Sequence, residues 1–143
     1  VLLAAALLSS SALAVFVWRL VRLEPDDPVR RVGELRVAQW AALLLATRAA
    51  IPIGLAVAGD AQPLAHLDAA IGIGFAVGAG ALMLREPRQA LGLAAGAFLA
   101  HALFDAAHRP GWLAPDLAPR WMIIGGATYD LVMAALCFRA RRG

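Results

Sequence analysis

Residues 37–58 read VAQWAALLLATRAAIPIGLAVA, with Arg48 as the only charged side chain in the run. A helix needs roughly 20 mainly apolar residues to cross the hydrocarbon core of a bilayer, and this run supplies them. The chain is too short to hide such a segment in water, because small domains leave much of their surface exposed. Of its 143 residues, 62% are hydrophobic, against about 45–50% apolar in soluble domains. Lipid is the solvent this composition fits.

Working outward, four more runs have the same character: 1–21, 64–84, 90–107 and 121–138. The breaks between them are built from residues that cannot continue a helix in lipid. Glu24-Pro25-Asp26-Asp27-Pro28 follows the first run, and Gly59-Asp60-Ala61-Gln62-Pro63 the second. Arg85-Glu86-Pro87-Arg88 follows the third, and His108 to Pro119 the fourth. The sequence therefore predicts one all-α domain over 1–143, an integral membrane bundle of five transmembrane helices. The opening VLLAAALLSSSALA has the look of a signal-peptide core, with Ala12-Leu13-Ala14 as a cleavage-like triplet. The apolar run continues through Phe16, Val17 and Trp18, so an uncleaved span is expected.

All 13 basic residues are arginine. Arg19, Arg22, Arg30, Arg31 and Arg36 flank the first connection, the second has none, Arg85 and Arg88 flank the third, Arg109 and Arg120 the fourth, and Arg139, Arg141 and Arg142 form the tail. By the positive-inside rule, the N-terminus is expected outside and the C-terminus in the cytoplasm, as in a bacterial cytoplasmic membrane protein. Trp18 and Trp40 then fall at the inner interface, and Trp112 and Trp121 at the outer. Arginines at span ends, without a basic face interleaved with aromatics, exclude a nucleic-acid partner. The lipid bilayer is the expected partner. The GxxxG pairs Gly74/Gly78 and Gly92/Gly96 add the expectation of other membrane subunits, or a second copy, packed on the third and fourth helices. Cys137 is alone, which leaves no disulfide or CxxC site.

Ionisable groups inside the spans mark function, because they are costly there. Arg48 and Asp130 lie mid-span on the second and fifth helices and are expected to pair. Pro52, four residues after Arg48, leaves the Arg48 carbonyl without its helical donor. His101, Asp105 and His108, spaced i, i+4, i+7, fall on one face of the fourth helix. Imidazole and carboxylate at that spacing suit a proton relay or a single transition-metal ion. Asp68 and His66 are the expected contributions from the third helix. There is no Walker loop, GxGxxG, GxSxG or HExxH, and Gly125-Gly126 lies within a span.

From His101 on, the residues His101, Asp105, His108, Pro119, Trp121 and Tyr129-Asp130 resemble a pattern of small bacterial multi-pass membrane proteins with no established activity. The resemblance spans about a third of the chain and implies that these residues act as one site. The expected function is an outward-facing polar cavity that binds a small ligand, ion or lipid headgroup, or an accessory subunit of a membrane complex. The alternative is a membrane-embedded, metal-dependent enzyme using the face of His101, Asp105 and His108.

Overall fold

A computed structural model describes residues 2–58, 63–108, 112–113 and 118–143. They form helices α1 (Leu2–Leu20), α2 (Pro28–Ala58), α3 (Pro63–Leu82), α4 (Pro87–Ala107) and α5 (Arg120–Arg142). Among the described residues there is no β-strand. Proline starts most of these helices, as its fixed φ and missing N–H allow at the first helical position. Pro28, Pro63 and Pro87 open α2, α3 and α4, and Pro119 precedes α5. Asp27 caps α2: its Oδ1 accepts from the Val29 N–H at 2.8 Å, and its carbonyl accepts from Arg30 and Arg31.

Four helices, α2 to α5, are long and apolar enough to cross a membrane by length and composition. The described apolar stretch of α1, Ala4–Leu20, is shorter than that measure. Burial runs the way lipid demands. Large aliphatic side chains such as Leu7, Leu43, Val57, Val77, Leu103 and Leu131 face outward, while Arg30, Glu34, Asp68, His101, His108 and Asp130 are buried. With 62% hydrophobic composition, this is the make-up of an α-helical membrane protein.

The centre of the bundle is α2, α4 and α5, with α3 packed on α2 and α4, and α1 on α5 and α2. The inward stripe of α2 runs through Arg30, Glu34, Val37, Ala41, Leu45, Ala49, Pro52 and Ala56, steps of three and four that keep one face in. Small residues on it let neighbours approach closely. A Cβ on Gly72 of α3 would lie 2.8 Å from the Ala49 carbonyl oxygen and 3.3 Å from the Pro52 ring. Pro52 itself sits inside a continuous α2.

One feature departs from the sequence expectation. The helix of the second span begins at Pro28, well before Val37, because Asp27 and Pro28 start it. At 31 residues, it is about 46 Å long, longer than the ~30 Å hydrocarbon core. Its first turns therefore carry arginines beyond the apolar run. At the GxxxG pairs, nothing described lies within 4 Å of a Cβ built on Gly74, Gly78 or Gly96, and Gly92 is covered by the Arg141 side chain.

Candidate ligand site

Helical spacing on three helices converges on one group of charges. Arg48 lies beside the inward stripe of α2. On α4, buried Phe98, His101, Ala102 and His108 share a face with Asp105. On α5, the buried stripe is Gly126, Asp130, Met133, Ala134 and Cys137. Where these meet, Arg48 grips Asp130 side-on, Nε to Oδ1 at 3.2 Å and Nη2 to Oδ2 at 3.1 Å. The same Nη2 donates to Asp105 Oδ2 at 2.6 Å. His101 Nδ1 lies 2.9 Å from Asp130 Oδ2; a carboxylate only accepts, so the ring donates. Asp130 and His101 are fully buried. The pairing expected for Arg48 and Asp130 is present, and it is doubled by Asp105.

Gly126 makes this junction possible. A Cβ there would run into Arg48 Nη2 and lie 2.5 Å from Asp105 Oδ2, so a larger residue would force the guanidinium or the carboxylate to shift. Sequence reading placed Gly125-Gly126 in a span and gave it no role. The available signal was the spacing: Gly126 is one turn before Asp130, on the same face.

The residues expected on the face of α4 divide into two groups. His101 and Asp105 join the Arg48 cluster. His108 turns elsewhere: its Nδ1 donates to the Phe104 carbonyl at 3.0 Å, and its Nε2 lies 3.4 Å from Asp68 Oδ2. Asp68 is thus brought to α4 through His108, whereas His66 is exposed. Aromatic rings pack both histidines, Phe75 at 4.8 Å and Phe104 at 5.5 Å from His101, and Phe104 at 5.1 Å from His108. Asp105, His108 and Arg48 share a crevice of about 30 Å³ with Pro52 and Met122, room for roughly one or two waters. Arg109 lies outside the described residues.

His101, Asp105 and Asp130 present ligand atoms that all lie within 4.8 Å of one another, close enough for a metal ion. The Arg48 guanidinium bonds two of those three residues. It is already the cation of the cluster, and a metal would have to displace it. His101 Nε2 is buried and has no hydrogen bond among the described residues, which suits a ring whose one proton is on Nδ1.

A larger cavity also borders Arg48, with no described residue of α4 in its lining. It is a half-open cleft of about 230 Å³ between Ala5, Ala6 and Ser9 of α1, Leu44, Thr47, Arg48 and Ile51 of α2, and Trp121, Met122, Gly125, Gly126 and Tyr129 of α5. The reason is visible in α1. Its buried residues, Leu13, Val17 and Leu20, all belong to the second half of the helix, and from Ala4 to Ala12 none is buried. That half of α1 stands off the bundle. The expected polar cavity along His101, Asp105 and His108 is therefore not the large one, which is apolar and touches the charges only through Arg48. Tyr129 closes one wall, its hydroxyl 3.3 Å from Ser9 Oγ, while Ser9 donates to the Ala6 carbonyl.

A second buried charge group was missed by sequence reading. Arg30 and Glu34, 1% and 2% exposed, pair at 3.1 Å, and Arg88 of α4 donates to both Glu34 oxygens at 3.1 and 3.2 Å. Arg30 Nη1 also donates to the Leu23 carbonyl at 2.9 Å. The i, i+4 spacing of Arg30 and Glu34 was the available signal, hidden because both fell in a segment read as a loop.

Compared with family models, curated proteins and solved structures, the chain has no match.

Proposed function

We propose that the protein crosses the membrane five times, N-terminus outside and C-terminus in the cytoplasm, and binds a small, mainly apolar ligand in the cavity between α1, α2 and α5. The observation that carries this reading is the cavity itself. Its walls are almost wholly apolar, and one partly buried, charged side chain, Arg48, stands in them. Sites for small molecules have this make-up, with apolar walls and a few placed polar groups, and bundles hold them between helices. The orientation rests on the alternation of arginines along the chain.

The test is occupancy. Protein extracted in mild detergent is expected to carry a small molecule that is released on denaturation and identified by mass spectrometry. Ala6→Trp, which fills the cavity, is expected to lose it. If wild type and Ala6→Trp are equally empty, and no lipid-soluble compound raises the melting temperature of wild type alone, the reading fails. A reporter fused after Arg142 is expected to be active in a form that works in the cytoplasm; activity outside overturns the orientation.

A metal-dependent enzyme is the second reading, favoured by the closeness of His101, Asp105 and Asp130. It requires stoichiometric metal in the purified protein by elemental analysis, lost in His101→Ala. Accessory-subunit or self-association roles have their own support. Gly74 and Gly78 present bare backbone on an exposed face of α3, and the mass of the detergent-solubilised protein tests that arrangement.

A further inference from the structure

Arg48 commits Nε and Nη2 to carboxylates. Its Nη1 makes no hydrogen bond with any described residue, and 13% of the side chain remains accessible. The two N–H bonds of Nη1 are uncommitted, on a side chain that lines both the apolar cavity and the crevice shared with Asp105 and His108. They need an acceptor, and three observations fix its class.

The first is charge. Asp105 and Asp130 both bond this guanidinium, so a neutral His101 leaves the cluster with one negative charge in excess, and a protonated one leaves it neutral. An anionic headgroup would add a third negative charge to a largely buried group, where an unpaired charge is costly. The second is position. Neither aspartate lines the cavity, and Asp130 is fully buried. A cationic ligand would meet the guanidinium before it met a carboxylate. The third is size and surface. The cavity, about 230 Å³, exceeds the ~150 Å³ of an apolar cavity that takes up benzene. Trp121 and Tyr129 offer aromatic faces, while Thr47 is turned back on the Leu43 carbonyl at 2.9 Å.

Resting on the cavity reading above, we infer that the ligand is a neutral, lipid-soluble carbonyl compound, an ester or a quinone, whose carbonyl oxygen accepts from Arg48 Nη1 and whose apolar body fills the space along α1 and α5. The Tyr129 hydroxyl is the second donor within the same wall. It gives up only its bond to Ser9, which keeps its own bond to Ala6.

The experiment is calorimetric titration of the full chain in nanodiscs with four probes: a decyl-substituted benzoquinone, dioctanoylglycerol, dodecanoate at a pH where it is ionised, and dodecane. Saturable binding of the quinone or the glyceride, and of neither dodecanoate nor dodecane, is expected, and whichever binds names the source of the carbonyl. Arg48→Lys keeps the charge and loses the forked donor; it is expected to weaken binding about tenfold, the loss of one hydrogen bond to a charged group. Tyr129→Phe leaves the cluster intact and is expected to weaken binding about threefold; it keeps the proposal testable if Arg48→Lys fails to fold. Dodecanoate or dodecane binding as tightly as the carbonyl probes overturns the carbonyl class and leaves the cavity reading standing. Carbonyl binding unchanged in both variants overturns the roles of Arg48 and Tyr129. If no probe binds and Ala6→Trp behaves as wild type, both readings fall.

Discussion

Two groups of charge lie along α2, one on its inward stripe and one beside it, and they are built differently. At the end that opens with Pro28, Arg30, Glu34 and Arg88 close on one another. Both Glu34 oxygens are bonded, and Arg30 spends its remaining reach on the Leu23 carbonyl. This group ties the α1–α2 connection, α2 and α4 together. From Glu34, Arg48 is 14 residues on, about 21 Å along the helix. There one guanidinium holds two carboxylates, one nitrogen is left over, and a cavity lies beside it. The first arrangement is a staple. The second has the same bonding plus an unspent donor and a space for something to meet it. That difference, more than the presence of buried charge, separates a site from a structural brace.

The largest expected effect comes from breaking the second group. Arg48→Leu leaves Asp130 and Asp105 without their cation, and losing one partner of a buried pair costs about 3–5 kcal/mol. The melting temperature in detergent should fall sharply. Arg48→Leu with Asp130→Leu should recover only part of the loss, because Asp105 bonds the same nitrogen; adding Asp105→Leu should recover more. Full recovery in the double variant would mean that Asp105 is solvated and outside the group. A loss under about 1 kcal/mol for Arg48→Leu, the range of exposed pairs, would mean that the whole junction is wet.

The staple should respond less, and unevenly. Glu34→Gln keeps an acceptor for Arg30 and removes the countercharge of a side chain that is 1% exposed, so a loss near 3 kcal/mol is expected. Arg88→Ala removes the other partner, whose side chain is 53% exposed, and should cost about 1 kcal/mol or less. Neither change should alter ligand binding at the cavity. If Glu34→Gln weakens binding as much as Arg48→Lys does, the two regions are coupled and the contrast between them dissolves.

How much of this was legible beforehand follows from what each signal depends on. The apolar runs and their proline breaks depend on chain-local chemistry, and they located all five helices. Arg48, Asp130, Asp105 and His101 were legible as a costly set, because a charge in a span needs a partner. Their partition was not legible. His108 shares a helical face with His101 and Asp105, yet Phe104 and Asp68 draw it away, and that depends on how α3 sits on α4. The cavity was hidden for a similar reason. It lies beside the first half of α1, where small Ala and Ser side chains replace the larger Leu13, Val17 and Leu20 of the packed half; that contrast in size was visible, but which neighbours it faced was not. Arg30 and Glu34 were masked by their charge, which made the first turns of α2 resemble a loop. Composition could not reveal that a cap at Asp27 would extend the helix through them.

Two glycines, one in each region, give the finest comparison. At Gly126 an added Cβ would meet Arg48 Nη2 and Asp105 Oδ2, atoms fixed by the ion pairs. Neither can move without losing a charged hydrogen bond, so Gly126→Ala is expected to cost about 1–3 kcal/mol, as overpacking does, and to weaken cavity binding with it. At Gly33, beside the staple, the atom met is Cδ1 of Leu20, the far end of a side chain that can change rotamer. Replacing a mid-helix glycine also removes an entropic cost of about 0.5–1 kcal/mol. The two terms oppose, and Gly33→Ala should shift stability by less than about 1 kcal/mol in either direction, with binding unchanged. Unfolding curves of the two variants in the same detergent decide it. If Gly33→Ala is the more damaging, the tight point of the bundle is the α1–α2 contact near the staple. Gly126 would then be a glycine of convenience, and the forked grip of Arg48 would have slack to adjust around a methyl group.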